Sequence, residues 1–120
     1  MKFELKKDMY LKKRGGHARF INLYCSKCGK HLLLYQKDGP KHGFVKRLYL
    51  DRIFAPNKLS SLQKLPGRTR IRDIPDLACK SCKAVIGIPM RYEKENRRAF
   101  FLKEGSFIKR ESKGVYKGKR

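Results

Sequence analysis

The chain has 120 residues, 40% of them hydrophobic, which is enough for one modest core and too few for two independent domains. Its 32 Lys and Arg against 10 Asp and Glu give a formal net charge of +22, which is far outside the balance that solubility alone would require and predicts a polyanionic partner. No apolar run is long enough for a membrane span or a signal-peptide core, so we expect a cytoplasmic protein with no membrane attachment.

The first part of the chain predicts a basic arm followed by a β-hairpin. Residues 1–16 are rich in basic side chains and end in two glycines, so we interpret them as an N-terminal arm. The β-branched and aromatic segment 17–24 (HARFINLY) predicts a strand, and 31–37 (HLLLYQK) predicts its return strand. Between them lies CSKCGK, so the hairpin is expected to carry a cysteine pair at its tip.

The middle of the chain is less regular. After the turn signal at 38–40, residues 44–51 (FVKRLYLD) predict a third strand. Residues 52–76 contain three prolines and are interpreted as an excursion beside the sheet, with at most one short helix at 57–64. The alternating arginines of this excursion would face one side of an extended segment; they are Arg68, Arg70 and Arg72.

The second half repeats the pattern of the first. The motif CKSC is followed by residues 84–92 (AVIGIPMRY), which predicts a second hairpin with a cysteine pair at its tip. Two further strands are expected around Gly105, and residues 113–120 are interpreted as a basic tail. The sequence therefore predicts a mainly β domain of antiparallel sheets over residues 17–112.

All four cysteines fall in two C-x-x-C pairs, Cys25 with Cys28 and Cys79 with Cys82. This spacing forms a tight turn, or knuckle, that aims both sulfurs at one point, and two knuckles complete a tetrahedron around one zinc ion. Because a shell of four thiolates has no open position, we expect a structural ion. Two disulfides, a thioredoxin-type redox pair and iron in place of zinc remain as alternatives.

The residues around the cysteines suit such an ion. Four thiolates on a divalent cation carry a net negative charge that needs nearby positive groups. Gly29 fits the position after the first knuckle, where a positive φ is wanted, whereas the second knuckle has Lys83 there. The histidines, His17, His31 and His42, are not expected to be ligands. The flanking lysines are Lys27, Lys30, Lys80 and Lys83.

The CSKCGK and CKSC tips resemble the zinc-ribbon and β-tent groups of zinc folds. The β-tent fold is shared by methionine sulfoxide reductase B, Yippee proteins and the thalidomide-binding domain of cereblon, and the run from Cys82 to Gly87 is similar to its strand after a knuckle. Over residues 17–110 the resemblance implies fold and not activity, because the chain has no fifth cysteine for a reductase and no tryptophan for a cereblon-type pocket. The basic ends resemble those of small ribosomal proteins.

We expect neither catalysis nor a small-molecule substrate. The acidic residues are scattered, and the chain has no phosphate-binding loop, nucleophile elbow or zinc-protease motif. The close pairs, Asp73 with Asp76 and Glu93 with Glu95, each lie beside a turn and are interpreted as solvated.

Basic residues occur in every segment, which predicts binding to structured RNA, as in a ribosomal or ribosome-associated protein that contacts rRNA phosphates. The alternatives are an acidic protein partner or small ligand on a β-tent module, a DNA-binding zinc ribbon, and a merely solvated basic surface. Tyr10 and Tyr116 are the candidates for stacking on bases. The candidate phosphate contacts are Lys6, Lys7, Lys12, Lys13, Arg14, Arg68, Arg70, Arg72, Arg97, Arg98, Lys109, Arg110, Lys113, Lys117, Lys119 and Arg120.

Overall fold

A computed structural model of the chain describes residues 2–40 and 44–112. These residues form two four-stranded antiparallel sheets and short helices, which confirms the mainly β prediction. The strands are β1 (Ala18–Cys25), β2 (His31–Asp38), β3 (Arg47–Tyr49), β4 (Ile53–Ala55), β5 (Leu77–Ala78), β6 (Val85–Tyr92), β7 (Arg97–Leu102) and β8 (Phe107–Ser112). The helices are α1 (Met9–Lys13) and α2 (Asn57–Ser60), with 3-10 turns at Leu50–Arg52, Ser61–Lys64, Ile71–Asp73 and Glu93–Glu95.

Each sheet is built around one of the predicted hairpins. Sheet 1 has the strand order β4-β2-β1-β8, and sheet 2 has the order β3-β7-β6-β5. The β1–β2 and β5–β6 hairpins therefore lie in different sheets. Strands β7 and β8 are consecutive in sequence but do not pair, because the chain passes from sheet 2 to sheet 1 at Gly105, which has a φ of +78°.

The two sheets pack through one apolar core. Ile21, Leu23 and Leu33 of sheet 1 belong to the same buried cluster as Leu48 and Phe100 of sheet 2. Fully burying such side chains contributes about 1.5–3 kcal/mol each. Cys25 and Cys79 also lie in this cluster, so the two knuckles meet at the core.

Residues 2–16, called the N-terminal segment below, lie against the sheets, which differs from the predicted arm. Leu11 is buried, and Phe3 packs edge-on against Phe54. The backbone N–H of Lys6 donates to the side chain of the fully buried Gln36, which donates back to the Lys6 carbonyl. The apolar side chains of the segment thus contribute to the fold, a role that its high lysine content concealed. Residues 113–120, the predicted tail, lie outside the described residues.

The region between β4 and β5 contains the predicted short helix, which is present as α2 and continues as a 3-10 turn to Lys64. The segment with the three alternating arginines is not extended, so the condition for the expected one-sided row is not met. A turn closes where the N–H of Thr69 donates to the Pro66 carbonyl, and Arg70 then pairs with Asp73 across a 3-10 turn at 2.9 Å. The local i,i+3 ion pair favours this turn over an extended segment.

Candidate functional site

The two knuckles share the same backbone hydrogen bond at their base. In the first, the Cys25 N–H donates to the Lys30 carbonyl at 2.8 Å. In the second, the Cys79 N–H donates to the Ala84 carbonyl at 2.8 Å. In each knuckle the second cysteine lies in the turn, whereas the first is the last residue of β1 in one case and directly follows β5 in the other.

The residue after each pair has a left-handed backbone conformation. Gly29 has a φ of +78° and Lys83 a φ of +66°, and each donates its N–H to the carbonyl of the first cysteine of its own knuckle. The positive φ predicted for Gly29 is confirmed. Lys83 adopts the same conformation although it carries a Cβ, so the knuckle geometry overrides a local preference that costs about 1–2 kcal/mol.

The four sulfurs converge. Every Sγ lies within 4.8 Å of the others, with Cys25 and Cys82 separated by 3.7 Å and Cys28 and Cys79 by 3.5 Å. These separations are far longer than a disulfide bond of about 2.05 Å. They are close to the roughly 3.8 Å edge of a tetrahedron whose metal–sulfur bonds are about 2.3 Å. The four cysteines can therefore hold one metal ion between the two sheets.

Backbone N–H groups favour the thiolate form of Cys25 and Cys79, whereas burial opposes it. Cys25 and Cys79 are buried, whereas Cys28 is exposed. The backbone N–H of Cys82 is the main cause that lowers the pKa of the Cys79 thiol to about 7, against the opposing effect of burial. The backbone N–H of Cys28 has the same effect on the pKa of Cys25, which is lowered. The four flanking lysines are exposed beside these sulfurs.

The turn between β7 and β8 braces both knuckles. The Ser26 N–H donates to the Ser106 carbonyl at 3.1 Å, and the Ser26 hydroxyl donates to the Gly105 carbonyl at 2.6 Å. The Ser106 hydroxyl reaches the Ile86 carbonyl, just after the second knuckle, at 3.2 Å. Sequence analysis missed this brace, because no local pattern indicates that a turn far along the chain contacts both cysteine pairs.

His31 is not part of the cysteine cluster. The Nε2 of His31 lies 2.8 Å from the Asn22 Oδ1, and its ring packs edge-on against Tyr24. Among the described residues, the group that can hold a metal consists of the four cysteines and does not include His31. His17 is exposed, and His42 lies outside the described residues.

Arg97 is a structural residue. It is 5% exposed, and its guanidinium lies 3.9 Å from the ring centre of Tyr10 and 3.8 Å from that of Tyr49. It donates to Asp51 at 2.7 Å and to Glu95 at 3.0 Å. Neither Arg97 nor the face of Tyr10 that it covers is therefore available to RNA. Tyr116, the other predicted stacking residue, lies outside the described residues.

Four more of the predicted phosphate contacts are engaged within the fold. Arg14 binds both carboxylate oxygens of Glu95, at 2.9 and 3.0 Å. Arg98 donates to the backbone carbonyls of the excursion, at 2.7 Å for Leu65. The ammonium of Lys6 donates to the Gln63 side chain at 2.7 Å, and Arg70 pairs with Asp73.

The other predicted contacts within the described residues lie on the surface. They come from the N-terminal segment, the excursion and β8 of sheet 1. The exposed residues are Lys7, Lys12, Lys13, Arg68, Arg72, Lys109 and Arg110. Lys113, Lys117, Lys119 and Arg120 lie outside the described residues.

In the described part of the chain, most of the acidic side chains are paired with arginine, some of them on the surface. Six of the ten form salt bridges with arginine, and the shortest of these bridges are 2.7 Å long. Few carboxylates are left to offset the exposed lysines and arginines, so the outward charge of the chain is strongly positive. The paired acids are Asp8, Asp38, Asp51, Asp73, Glu95 and Glu111.

Comparisons of the chain with family models, with curated proteins and with solved structures find no match. No helix in the described part of the chain is long and apolar enough to cross a membrane. The fold and the cysteine cluster define the class of protein: two antiparallel sheets, each ending in a cysteine knuckle, joined at one candidate metal centre.

Proposed function

We propose that the chain is a zinc protein that binds structured RNA and works on or with the ribosome. The observation that carries the proposal is a formal charge of +22 on a chain in which six of ten acidic side chains are already paired with arginine. A rigid centre with exposed Lys and Arg on several sides suits contact with more than one phosphate backbone.

Zinc is the metal that the four-sulfur site fits best. Soft thiolates and a closed tetrahedral arrangement are the usual structural zinc site, and iron bound by four sulfurs is the main competitor. Elemental analysis of the purified protein should find one zinc per chain and no visible absorption from iron–thiolate charge transfer. Replacing Cys28 with Ser should abolish stoichiometric binding, whereas Ser81→Ala, in the other knuckle, should not. A protein with no bound metal would contradict this assignment.

RNA binding is tested by its dependence on salt. If six to ten phosphates are neutralised, affinity for an rRNA fragment should fall by about 10³ to 10⁵ between about 50 and 200 mM salt. Changing Arg68, Arg72 and Arg110 together to Gln should reduce the salt slope by about two to three. The control removes equal charge elsewhere, at Lys58, Lys64 and Lys94, which are also exposed. An affinity for the rRNA fragment that does not change with salt concentration would refute the proposal.

The identity of the binding partner is tested separately from the salt dependence of RNA binding. Co-migration of the native protein with a ribosomal subunit through a high-salt cushion would support the ribosomal assignment, and recovery only in the unbound fraction would contradict it. Duplex DNA that competes as well as rRNA would favour a DNA-binding protein instead. Polyglutamate that displaces RNA at equal charge concentration would favour an acidic protein partner.

A further inference from the structure

The outer face of sheet 2 carries an exposed apolar row at one end. Ile88 of β6 is the cross-strand partner of Phe101 of β7, which is in turn the partner of Arg47 of β3. Directly paired residues point to the same side of a sheet, so the three side chains form one row across three strands, called the Phe101 row below. Ile88 is 51% exposed and Phe101 is 49% exposed.

The N-terminal segment covers the other end of this face. One row further along, Ala99 and Tyr49 are buried, and Arg14 lies over the Tyr49 ring at 5.4 Å. Beyond them, Arg97 is sandwiched between Tyr49 and Tyr10 of the N-terminal segment. The N-terminal segment does not extend over Ile88 and Phe101, which are half-exposed. An aromatic ring on a β-strand is therefore accessible to solvent.

A positively charged side chain, Arg47, lies in the same row as the Phe101 ring. The Arg47 guanidinium lies 4.1 Å from the ring centre of Tyr92, and its Nε donates to the Tyr49 hydroxyl at 3.2 Å, so its plane is held in place. Strands β3, β6 and β7 contain no Asp or Glu. Of their four arginines, Arg91 and Arg98 lie on the opposite face, which also carries the buried Phe100. Arg97 is on the face of the row but is buried, so Arg47 is the arginine of these strands that the row offers to a phosphate.

These properties select among possible occupants. A second copy of the chain would bring another +22 of charge to a basic surface, which opposes association. A nucleotide offers a flat apolar base that can stack on Phe101 and a phosphate that can pair with Arg47. Stacking of bases on aromatic rings next to arginine is a general means of binding unpaired RNA.

We propose that the Phe101 row is a stacking platform for an unpaired base of the bound RNA. In this arrangement the base lies on Phe101 with Ile88 at its edge, and Arg47 faces the neighbouring phosphate. The proposal rests on the RNA-binding function proposed above and adds to it: the protein distinguishes RNA with unpaired bases from fully paired RNA.

Removal of the ring is the first test. Phe101→Ala should weaken binding to a 12-nucleotide single-stranded RNA by about 5- to 150-fold, the usual effect of losing one stacked base. Binding to a fully paired RNA duplex of equal charge should change by less than about twofold, and the salt slope should stay the same, because no charge is removed. The matched control is Ile108→Ala, another exposed apolar residue, on β8 of sheet 1.

A tryptophan at position 101 reports contact with a base directly, without a measurement of affinity. The chain has no tryptophan, so Phe101→Trp introduces a single fluorophore at the platform. Its fluorescence should be quenched when the single-stranded RNA is added and should stay unchanged with polyglutamate. The matched variant Ile108→Trp should show little quenching under the same conditions. Far-ultraviolet circular dichroism and metal content establish that all variants are folded.

The outcomes separate the two proposals. Salt-dependent binding of wild type that is the same in Phe101→Ala, with equal quenching of both tryptophan probes, would overturn the platform and leave RNA binding intact. Quenching of Phe101→Trp by polyglutamate and not by RNA would assign the row to an acidic polypeptide. Absence of RNA binding by wild type would overturn both.

Discussion

Asp8 binds Arg52 through both carboxylate oxygens, at 2.7 and 3.0 Å, and thereby joins the N-terminal segment to the core. Arg52 is 1% exposed and also donates to Asp38 at 3.0 Å. The same Asp8 carboxylate caps α1 by accepting hydrogen bonds from the backbone N–H groups of Tyr10 and Leu11. One side chain therefore begins a helix and neutralises a buried cation.

The two roles of Asp8 can be separated by substitution. Its pairing with Arg52 lowers the pKa of Asp8 to about 2, so the carboxylate is charged at neutral pH. Asp8→Asn keeps a good helix cap and removes the charge, and should lower the free energy of unfolding by about 1.5–3 kcal/mol. Asp8→Ala should cost about 1 kcal/mol more, because the cap is also lost. Chemical denaturation of the metal-loaded variants measures both, and equal losses would contradict the capping role.

Arg97 and Arg72 should respond in opposite ways to mutation. Arg97→Lys loses the planar fork that Asp51 and Glu95 share, and should lower the free energy of unfolding by about 1.5–3 kcal/mol while RNA affinity stays within twofold. Arg72→Ala, at an exposed position, should leave stability within about 0.5 kcal/mol and reduce the salt slope by about one. Denaturation and RNA titration of both variants test this contrast. A large loss of RNA affinity in folded Arg97→Lys would contradict its structural role.

The contrast shows where sequence reasoning works and where it fails. The cysteine pairs could be predicted because the two cysteines of each knuckle are close in sequence and all four sulfurs have the same role, that of a metal ligand. The strands before and after them could be predicted for the same reason, from runs of β-branched and aromatic residues. The structural role of Arg97 could not be predicted, because its partner Asp51 is distant in sequence and only the fold brings the two side chains together.

The N-terminal segment shows the same limit. Its lysines suggested an arm, whereas Leu11, Phe3 and the Asp8–Arg52 pair fix it to the sheets. Strand order was also beyond reach, because β8 pairs with β1 instead of its sequence neighbour. Charge counts give the number of basic residues, but their partners are decided by long-range packing.

Substitution of the two residues that follow the knuckles, Gly29 and Lys83, should change stability in opposite directions. Gly29→Ala introduces a Cβ at a φ of +78° and should destabilise the metal-loaded protein by about 1–2 kcal/mol. Lys83→Gly removes a Cβ at +66° and should stabilise it by about 0.5–1 kcal/mol, since part of the gain is offset by the greater freedom of glycine in the unfolded chain. Thermal unfolding at saturating zinc measures both shifts. A lower melting temperature for Lys83→Gly would indicate that its hydrogen bond to the Lys80 carbonyl outweighs the strain.

His31 should make stability depend on pH near neutrality. Burial lowers the pKa of His31 from its ordinary value of 6.5, because the charged ring is less well solvated in the fold. The unfolded chain therefore binds a proton at a higher pH than the folded one. The stability that the neutral ring contributes is fully present above the ordinary pKa and is lost as the pH falls through the lower, folded pKa.

The variant His31→Gln tests this dependence, because glutamine can keep a hydrogen bond to Asn22 and does not titrate. Between pH of about 7.5 and 5.5 the free energy of unfolding of the wild type should fall more steeply than that of the variant, with an excess slope of at most about 1.4 kcal/mol per pH unit. Denaturation curves of both metal-loaded proteins give the slopes, and an NMR titration of the His31 ring gives the midpoint directly. Parallel slopes would mean that the ring is solvated in the folded protein, since only its burial separates the folded from the unfolded pKa.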